Sequence, residues 1–167
     1  KMLPQVVQDA LNKQINMELS SSYAYLGMSA YCELNNFLGS ATWMQIQSQE
    51  EQGHAMKLYN FLIARGCKVK LEALPAPPGE FASIPHVFEC ALEQEHAVSE
   101  SINDLYELAH NERAFAALVE LQWFITEQVE EEKSVREIVA KFKMLKDDPS
   151  AMLDLDRELG ARQPDPA

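Results

Sequence analysis

The sequence predicts an all-α protein: a four-helix bundle with a long crossover between its second and third helices and a short fifth helix at the C-terminal end. Three observations carry this reading. Apolar residues recur at helical period over four stretches of about 25 to 30 residues, each ~40 Å long at 1.5 Å per residue. The chain of 167 residues holds 6 glycines and 8 prolines, too few and too clustered to punctuate a many-turned β fold. The proline cluster at Pro75, Pro77 and Pro78 lies in a connection far longer than a helical hairpin needs, as expected for a segment crossing from one end of a bundle to the other.

The first helix is expected from about Pro4 to Leu34, broken by Asn35-Asn36. The second runs from Phe37 to Ala64, with Gly66 as its stop. Residues Cys67 to Ala82 form the crossover. Ser83 then N-caps the third helix, with Pro85 in its first turn, and that helix continues to about His110. Asn111 is expected to cap the fourth helix, which ends near Leu145. Asp148-Pro149 opens the fifth, stopped by Gly160, and residues Gln163 to Ala167 read as a loose tail. The whole chain, 1–167, reads as a single domain, with the bundle over about 4–146 and the short helix over about 149–160. No internal repeat or low-complexity segment is visible.

Composition limits the function. The formal charge is −12, which disfavours nucleic acid and suits a protein that attracts cations or simply stays soluble. No run of eighteen apolar residues predicts a membrane span, and no signal peptide is visible. Cysteine is odd in number, at Cys32, Cys67 and Cys90, without disulfide-type spacing. Cys32 and Cys90 are expected as small core residues and Cys67 as an exposed loop residue. Together these suggest a reducing, cytoplasmic setting.

The chemistry lies in four glutamates. Glu18, Glu51, Glu95 and Glu131 each fall on the apolar seam of a different helix, seven residues from Leu11 and Tyr25, Met44 and Leu58, Phe88 and Ile102, and Phe124 and Ile138. Buried together, four carboxylates repel and lose hydration. A multivalent cation between them makes the arrangement tolerable. Glu51-Gln52-Gly53-His54 adds an imidazole one turn from a carboxylate on one face. Carboxylates with one nitrogen donor suit iron or manganese better than metals that seek thiolates. A lone Glu-x-x-His pair is weak, since surface pairs at that spacing are common; one inward carboxylate per long helix is a much stronger signal.

The chain resembles a ferritin, specifically a non-haem bacterial-type ferritin. The resemblance rests on Asn12-x-x-Ile15-x-x-Glu18, Ser21-Ser22-x-x-Tyr25-Leu26-x-Met28, Glu50-Glu51-x-x-His54-Ala55, and Leu121-Gln122-Trp123-Phe124 followed by Glu127-Gln128-Val129-Glu130-Glu131-Glu132-Lys133, and covers nearly the whole chain. It implies a ferritin-like fold and iron storage with ferroxidase activity. Two Fe²⁺ would be oxidised by O₂ or peroxide and the ferric product stored in a homo-oligomeric cage of 24 subunits. By the same resemblance Glu18, Glu51 and His54 form the first iron site. Glu51, Glu95 and Glu131 form the second, with Glu51 bridging. Gln128 lies beside that second site. Glu50, Glu127 and Glu130, with Glu131 shared, form a third, and Tyr25 is a nearby electron donor.

Three departures narrow the resemblance. A second Glu-x-x-His on the fourth helix is replaced by Gln128-x-x-Glu131, and a haem-binding methionine by Gln52, so haem is not expected. Leu118-x-x-Leu121 stands where an acidic three-fold channel pair would be, so that entry route does not carry over. The alternatives are a di-iron oxidase or oxygenase of the same fold, a purely structural bundle with its glutamates in solvent, and a DNA-coating mini-ferritin. Taken alone, Tyr25 reads as a core aromatic and Glu127, Glu130 and Glu132 as a solvated face. Trp43 and Trp123 read as packing residues, and Met17, Met28, Met44, Met56 and Met144 as core or interface filler. His86, His96 and His110 have no partner at ligand spacing.

Overall fold

The computed structural model describes residues 2–166. Five helices follow in order: α1 (Gln5–Leu34), α2 (Leu38–Ala64), α3 (Ile84–Asn111), α4 (Phe115–Leu145) and α5 (Pro149–Gly160). No described helix is long and apolar enough to cross a membrane. α1 packs along α2 and α3 along α4, the two hairpins meet through α1 and α3, and α5 lies against α2.

Three of the four long helices stop in the same way. After Leu34, Ala64 and Asn111 the chain takes one left-handed residue, Asn36 (φ 64°), Gly66 (φ 70°) or Arg113 (φ 55°). The next amides then return to carbonyls of the last turn: Phe37 to Cys32, Cys67 to Leu62 and Ala114 to Ala109, at 2.9, 2.9 and 2.8 Å. These are Schellman turns, which satisfy carbonyls that a helix end leaves free. Glycine adopts that conformation without strain and asparagine tolerates it, whereas Arg113 carries no such signal. The expected cap at Asn111 is accordingly wrong. Asn111 is the last residue of α3, and α4 opens after Ala114 without a side-chain cap. Ser83 and Asp148 do cap α3 and α5, accepting from the amides of His86 and Ala151.

The crossover is pinned along α1. Asn12 donates to the Lys68 carbonyl and accepts from the Lys70 amide, and Asn16 does the same with Lys70 and Glu72. Further on, Pro77 and Pro78 press against Gly27 and Phe81 packs edge-on against Tyr31. The crossover thus carries the chain back to the end where α2 began, so α3 runs parallel to α2. Cys67, expected to be exposed, is buried in the core with Leu11 and Leu58, because the Schellman turn at Gly66 directs the chain inward. Cys90 is half-buried rather than core, 3.4 Å from His86.

The core is divided in two. Leu11, Leu58, Ile102, Leu121 and Phe124 belong to one hydrophobic cluster, and Tyr25, Met44, Phe88, Val135 and Phe142 to the other. Between them lies a layer of buried polar side chains, among them Glu18, Glu51, His54, Glu95, Gln128 and Glu131. Trp43 packs in the core, but Trp123, Met56 and Met144 are exposed.

α5 is seated on the first turn of α2. The Asp156 carboxylate accepts from Gly39 N, Ser40 N and Ser40 Oγ at 3.0, 2.7 and 2.7 Å. It supplies the acceptor and negative charge that a helix N-terminus favours. Gly39 makes this close seat sterically feasible: a Cβ there would lie 1.8 Å from the Asp156 carbonyl oxygen.

Candidate metal centre

Each long helix contributes to the polar layer because its glutamate replaces one apolar residue in the seam. Glu18, Glu51 and Glu95 are fully buried, and Glu131 and His54 are each 5% exposed. Two groups of three form around Glu51. Ligand atoms of Glu18, Glu51 and His54 lie within 4.8 Å of one another, as do those of Glu51, Glu95 and Glu131, so Glu51 is shared.

The first group is incompletely hydrogen-bonded. His54 Nδ1 is 3.8 Å from Glu18 Oε2 and 3.5 Å from Glu51 Oε2. All three atoms are buried without a hydrogen-bond partner. Buried polar atoms of this kind are rare and costly. Ligands ~2.1 Å from one cation stand roughly 3.0 to 3.5 Å apart, so a modest contraction of this trio accommodates an ion. The hard oxygen donors and single imidazole fit iron or manganese. His54 turns its other nitrogen, Nε2, toward Glu131 at 3.9 Å and is walled by Trp123 and Phe124.

The remaining polar groups hold the carboxylates in place. Tyr25 Oη donates to Glu95 Oε1 at 2.6 Å, and Gln128 Nε2 donates to Glu95 Oε2 at 3.2 Å and to Ser99 Oγ at 3.0 Å. Two further residues join the site that the sequence reading passed over. Gln14 donates to Glu18 at 3.1 Å, and Gln47 to Glu51 at 3.0 Å and Glu131 at 2.7 Å. A signal for both existed: each glutamine stands four residues before its glutamate on the same seam, one turn away.

Proton affinities follow from this crowding. Burial pushes Glu51 well above the usual carboxylate range, and Glu95, Glu18 and their charges push it further than His54 pulls it back. Burial raises Glu95, and burial with the Glu95 charge raises Glu131 to about 8. Burial would depress His54, yet the facing Glu18 and Glu51 lift it to about 11. Glu18 is lowered: burial opposes its charge, but His54, Glu51 and Gln14 outweigh that. Burial and the neighbouring Glu95 raise the Tyr25 phenol well above its ordinary value. Without metal, the layer balances its charge by holding protons.

A polar cleft of about 470 Å³ opens beside this layer, lined in part by Glu50, Glu127, Glu130 and Glu131. Ligand atoms of His54, Glu127 and Glu131 lie within 4.8 Å of one another. Glu50 is half-buried with Oε1 unpartnered, whereas Glu130 is exposed at the cleft wall. Away from the centre, exposed His96 lies 3.1 Å from half-buried Glu132, and among the described residues the two join no metal-type grouping.

A bundle with one inward carboxylate per helix, an imidazole one turn from the shared glutamate and a divided core defines the class of carboxylate metal-binding four-helix proteins. Within that class, the chain belongs to the ferritin family: residues 8–145 match the Ferritin-like domain. It is 35% identical to a bacterial non-heme ferritin of Staphylococcus aureus (strain USA300), over 96% of this chain and 97% of that protein. It is 36% identical to the bacterial non-heme ferritin of Staphylococcus saprophyticus, over 96% of each chain. Among solved structures, an open pore ferritin from the hyperthermophilic archaeon Archaeoglobus fulgidus superposes with a TM-score of 0.95 at 43% identity, covering 96% of this chain and 98% of that one. A humanized archaeal ferritin gives 0.97 at 40% identity, covering 98% and 99%.

Proposed function

We propose that the protein stores iron, and that Fe²⁺ is oxidised to Fe³⁺ at the intrabundle centre before storage. The observation that carries this is the pair of three-residue groups sharing Glu51, one with three buried, unpartnered ligand atoms facing each other. In this reading Glu18, Glu51 and His54 bind one Fe²⁺, and Glu51, Glu95 and Glu131 bind the second. Each iron loses one electron, and O₂ or peroxide accepts both. Hard carboxylates bind Fe³⁺ better than Fe²⁺, so the ligand set favours oxidation. Iron entry displaces the protons held by Glu131 and His54. Gln14, Gln47 and Gln128 fix the carboxylates, and Tyr25 orients Glu95 and lies close enough to supply an electron.

The cleft lined by Glu50, Glu127 and Glu130 serves as a third cation position in this proposal, on the way out of the centre. Its acidic lining suits a cation and not an organic substrate, which favours storage over a di-iron oxygenase. The family supports a homo-oligomer, and we take it to be a 24-subunit cage. Size-exclusion chromatography tests this: a particle of a few hundred kilodaltons agrees, and a monomer or dimer ends it. The site is tested by Glu51→Ala, which removes the shared ligand. Rapid Fe²⁺ oxidation, followed by the absorbance of ferric product, is expected to disappear; an unchanged initial rate contradicts the assignment.

A further inference from the structure

The cleft beside the metal centre already contains a cation. Arg162, two residues past α5, turns its guanidinium back onto α2. Nη1 donates to the Trp43 carbonyl at 3.2 Å, and Nη2 donates to Gln47 Oε1 and Glu50 Oε2, each at 2.9 Å. The group also lies 4.4 Å over the Trp43 ring. Among the residues lining this cleft it is the only basic one, facing Glu50, Glu127, Glu130, Glu131 and Asp165 of its own tail.

We propose that Arg162 is the built-in counter-ion of this cleft, and that a third metal ion and the Arg162 tail compete for Glu50. The proposal rests on the reading of Glu50, Glu127 and Glu130 as a third metal position. A metal on Glu50 would stand beside a fixed guanidinium, and like charges at that distance repel strongly in a half-buried site. Glu50 already spends Oε2 on Arg162, while Oε1 is buried and unpartnered. The tail can withdraw without disturbing α5. Asp156 and Leu159 are buried in the seat of that helix, whereas the tail's hydrogen bonds to α5's end, from the Arg162 amide to the Leu159 carbonyl and from Gln163 Nε2 to the Ala161 carbonyl, are long at 3.3 and 3.4 Å.

The same contact reaches the main centre. A guanidinium only donates hydrogen bonds, so Gln47 must present its carbonyl oxygen to Arg162. Its NH₂ group then faces Glu51 and Glu131, which only accept when ionised. Arg162 is therefore a positioning residue for two carboxylates of the centre, acting through Gln47. When a third metal displaces it, Gln47 loses the contact that fixes its orientation.

The test is calorimetric titration of the metal-free assembled protein with Zn²⁺, which is redox-inert and accepts the same oxygen and nitrogen donors. Wild type and R162Q are compared, with a chain ending at Ala161 as a second variant; assembly of each is checked by size-exclusion. We expect a third equivalent per subunit, bound on the order of tenfold more tightly in both variants, the scale of one charge-assisted hydrogen bond. In a W123F background, Trp43 fluorescence should change at the third equivalent in the parent and not in R162Q, since the guanidinium leaves its ring only in the former. Equal affinity in parent and variants overturns the competition while leaving the third site standing. No third equivalent in any of them removes the third site, and this proposal with it. A Zn²⁺-soaked crystal with metal on Glu50 and Arg162 still in contact also overturns it.

Discussion

The layer of buried carboxylates should make the metal-free protein less stable as pH rises, and replacing one of them should relieve this. Glu131 is the most tractable. Its pKa is raised from 4.5 to about 8, first by burial and then by the charge of Glu95, and its side chain is only 6% exposed, so solvent screens it little. A raised carboxylate contributes stability fully below 4.5 and loses it as pH rises through about 8. His54 acts in the same direction: lifted from 6.5 to about 11, it contributes below 6.5 and loses that contribution as pH approaches 11. At pH 7 the folded chain keeps the Glu131 proton and the unfolded chain does not, a difference of about 3 kcal/mol at 1.36 kcal/mol per pH unit. Glu131→Gln keeps the side-chain volume, and its carbonyl oxygen can still accept from Gln47. It should recover part of that cost, about 1–2 kcal/mol, or ~2–8 °C in Tm for a chain of this size. Calorimetric melting of the chelator-stripped protein at pH 5 and pH 8 checks this. The parent Tm should fall between the two, and E131Q should melt above the parent at pH 8. Saturating Zn²⁺ should reverse that order, since metal stabilises the folded state by mass action and E131Q has lost a ligand. Metal-free E131Q melting below the parent at pH 8 would refute a buried-charge cost at Glu131.

Zn²⁺ binding near pH 7 should release at least one proton per subunit, because Glu131 and His54 hold protons there; titration in buffers of different ionisation enthalpy reads this out, and zero release contradicts the assigned proton affinities. Glu130→Ala should leave the first burst of Fe²⁺ oxidation largely intact and alter later turnover, since Glu130 lines the cleft and not the buried centre; loss of the burst in stopped-flow absorbance would relocate the third site. Asp156→Ala removes three hydrogen bonds to the first turn of α2 and should destabilise the α5 seat by about 3 kcal/mol, visible as faster proteolysis after Leu145. Gly39→Ala should act alike, by steric clash, and wild-type protease resistance in both would refute the account of the seat.

Much of this was legible because one periodicity governs both core and site. A glutamate seven residues from Met44 and Leu58 on an apolar seam points into the bundle whatever the details, so Glu51 and its three counterparts could be placed before any coordinates. Gly66 and the Asn35-Asn36 break, which suit a left-handed turn, were read, and so was the end of α4 near Leu145 although the left-handed residue there is Lys146; Arg113 was not, and Asn111 drew the boundary instead. Gln14 and Gln47 were missed because a glutamine on an apolar seam resembles an imperfect core position until its partner one turn away is considered. Arg162 was beyond reach. Its position depends on how Asp156 seats α5 against Gly39, a contact between residues 117 positions apart with no local pattern. Tyr25 and Gln128 were read through resemblance, and the structure adds the bonds by which both grip Glu95.

The asparagines beneath the crossover deserve a last consequence. Each turns one donor and one acceptor of its flat amide toward the crossover, as a peptide group would, while the same Nδ2 also donates to the carbonyl four residues back in α1. Asn12 and Asn16 therefore meet the passing chain as a neighbouring strand would, with four contacts over residues 68–72. Slipping that segment by a single residue would mismatch all four. The longest connection in the molecule is thus held in register like a zip, and it fixes where the second hairpin begins.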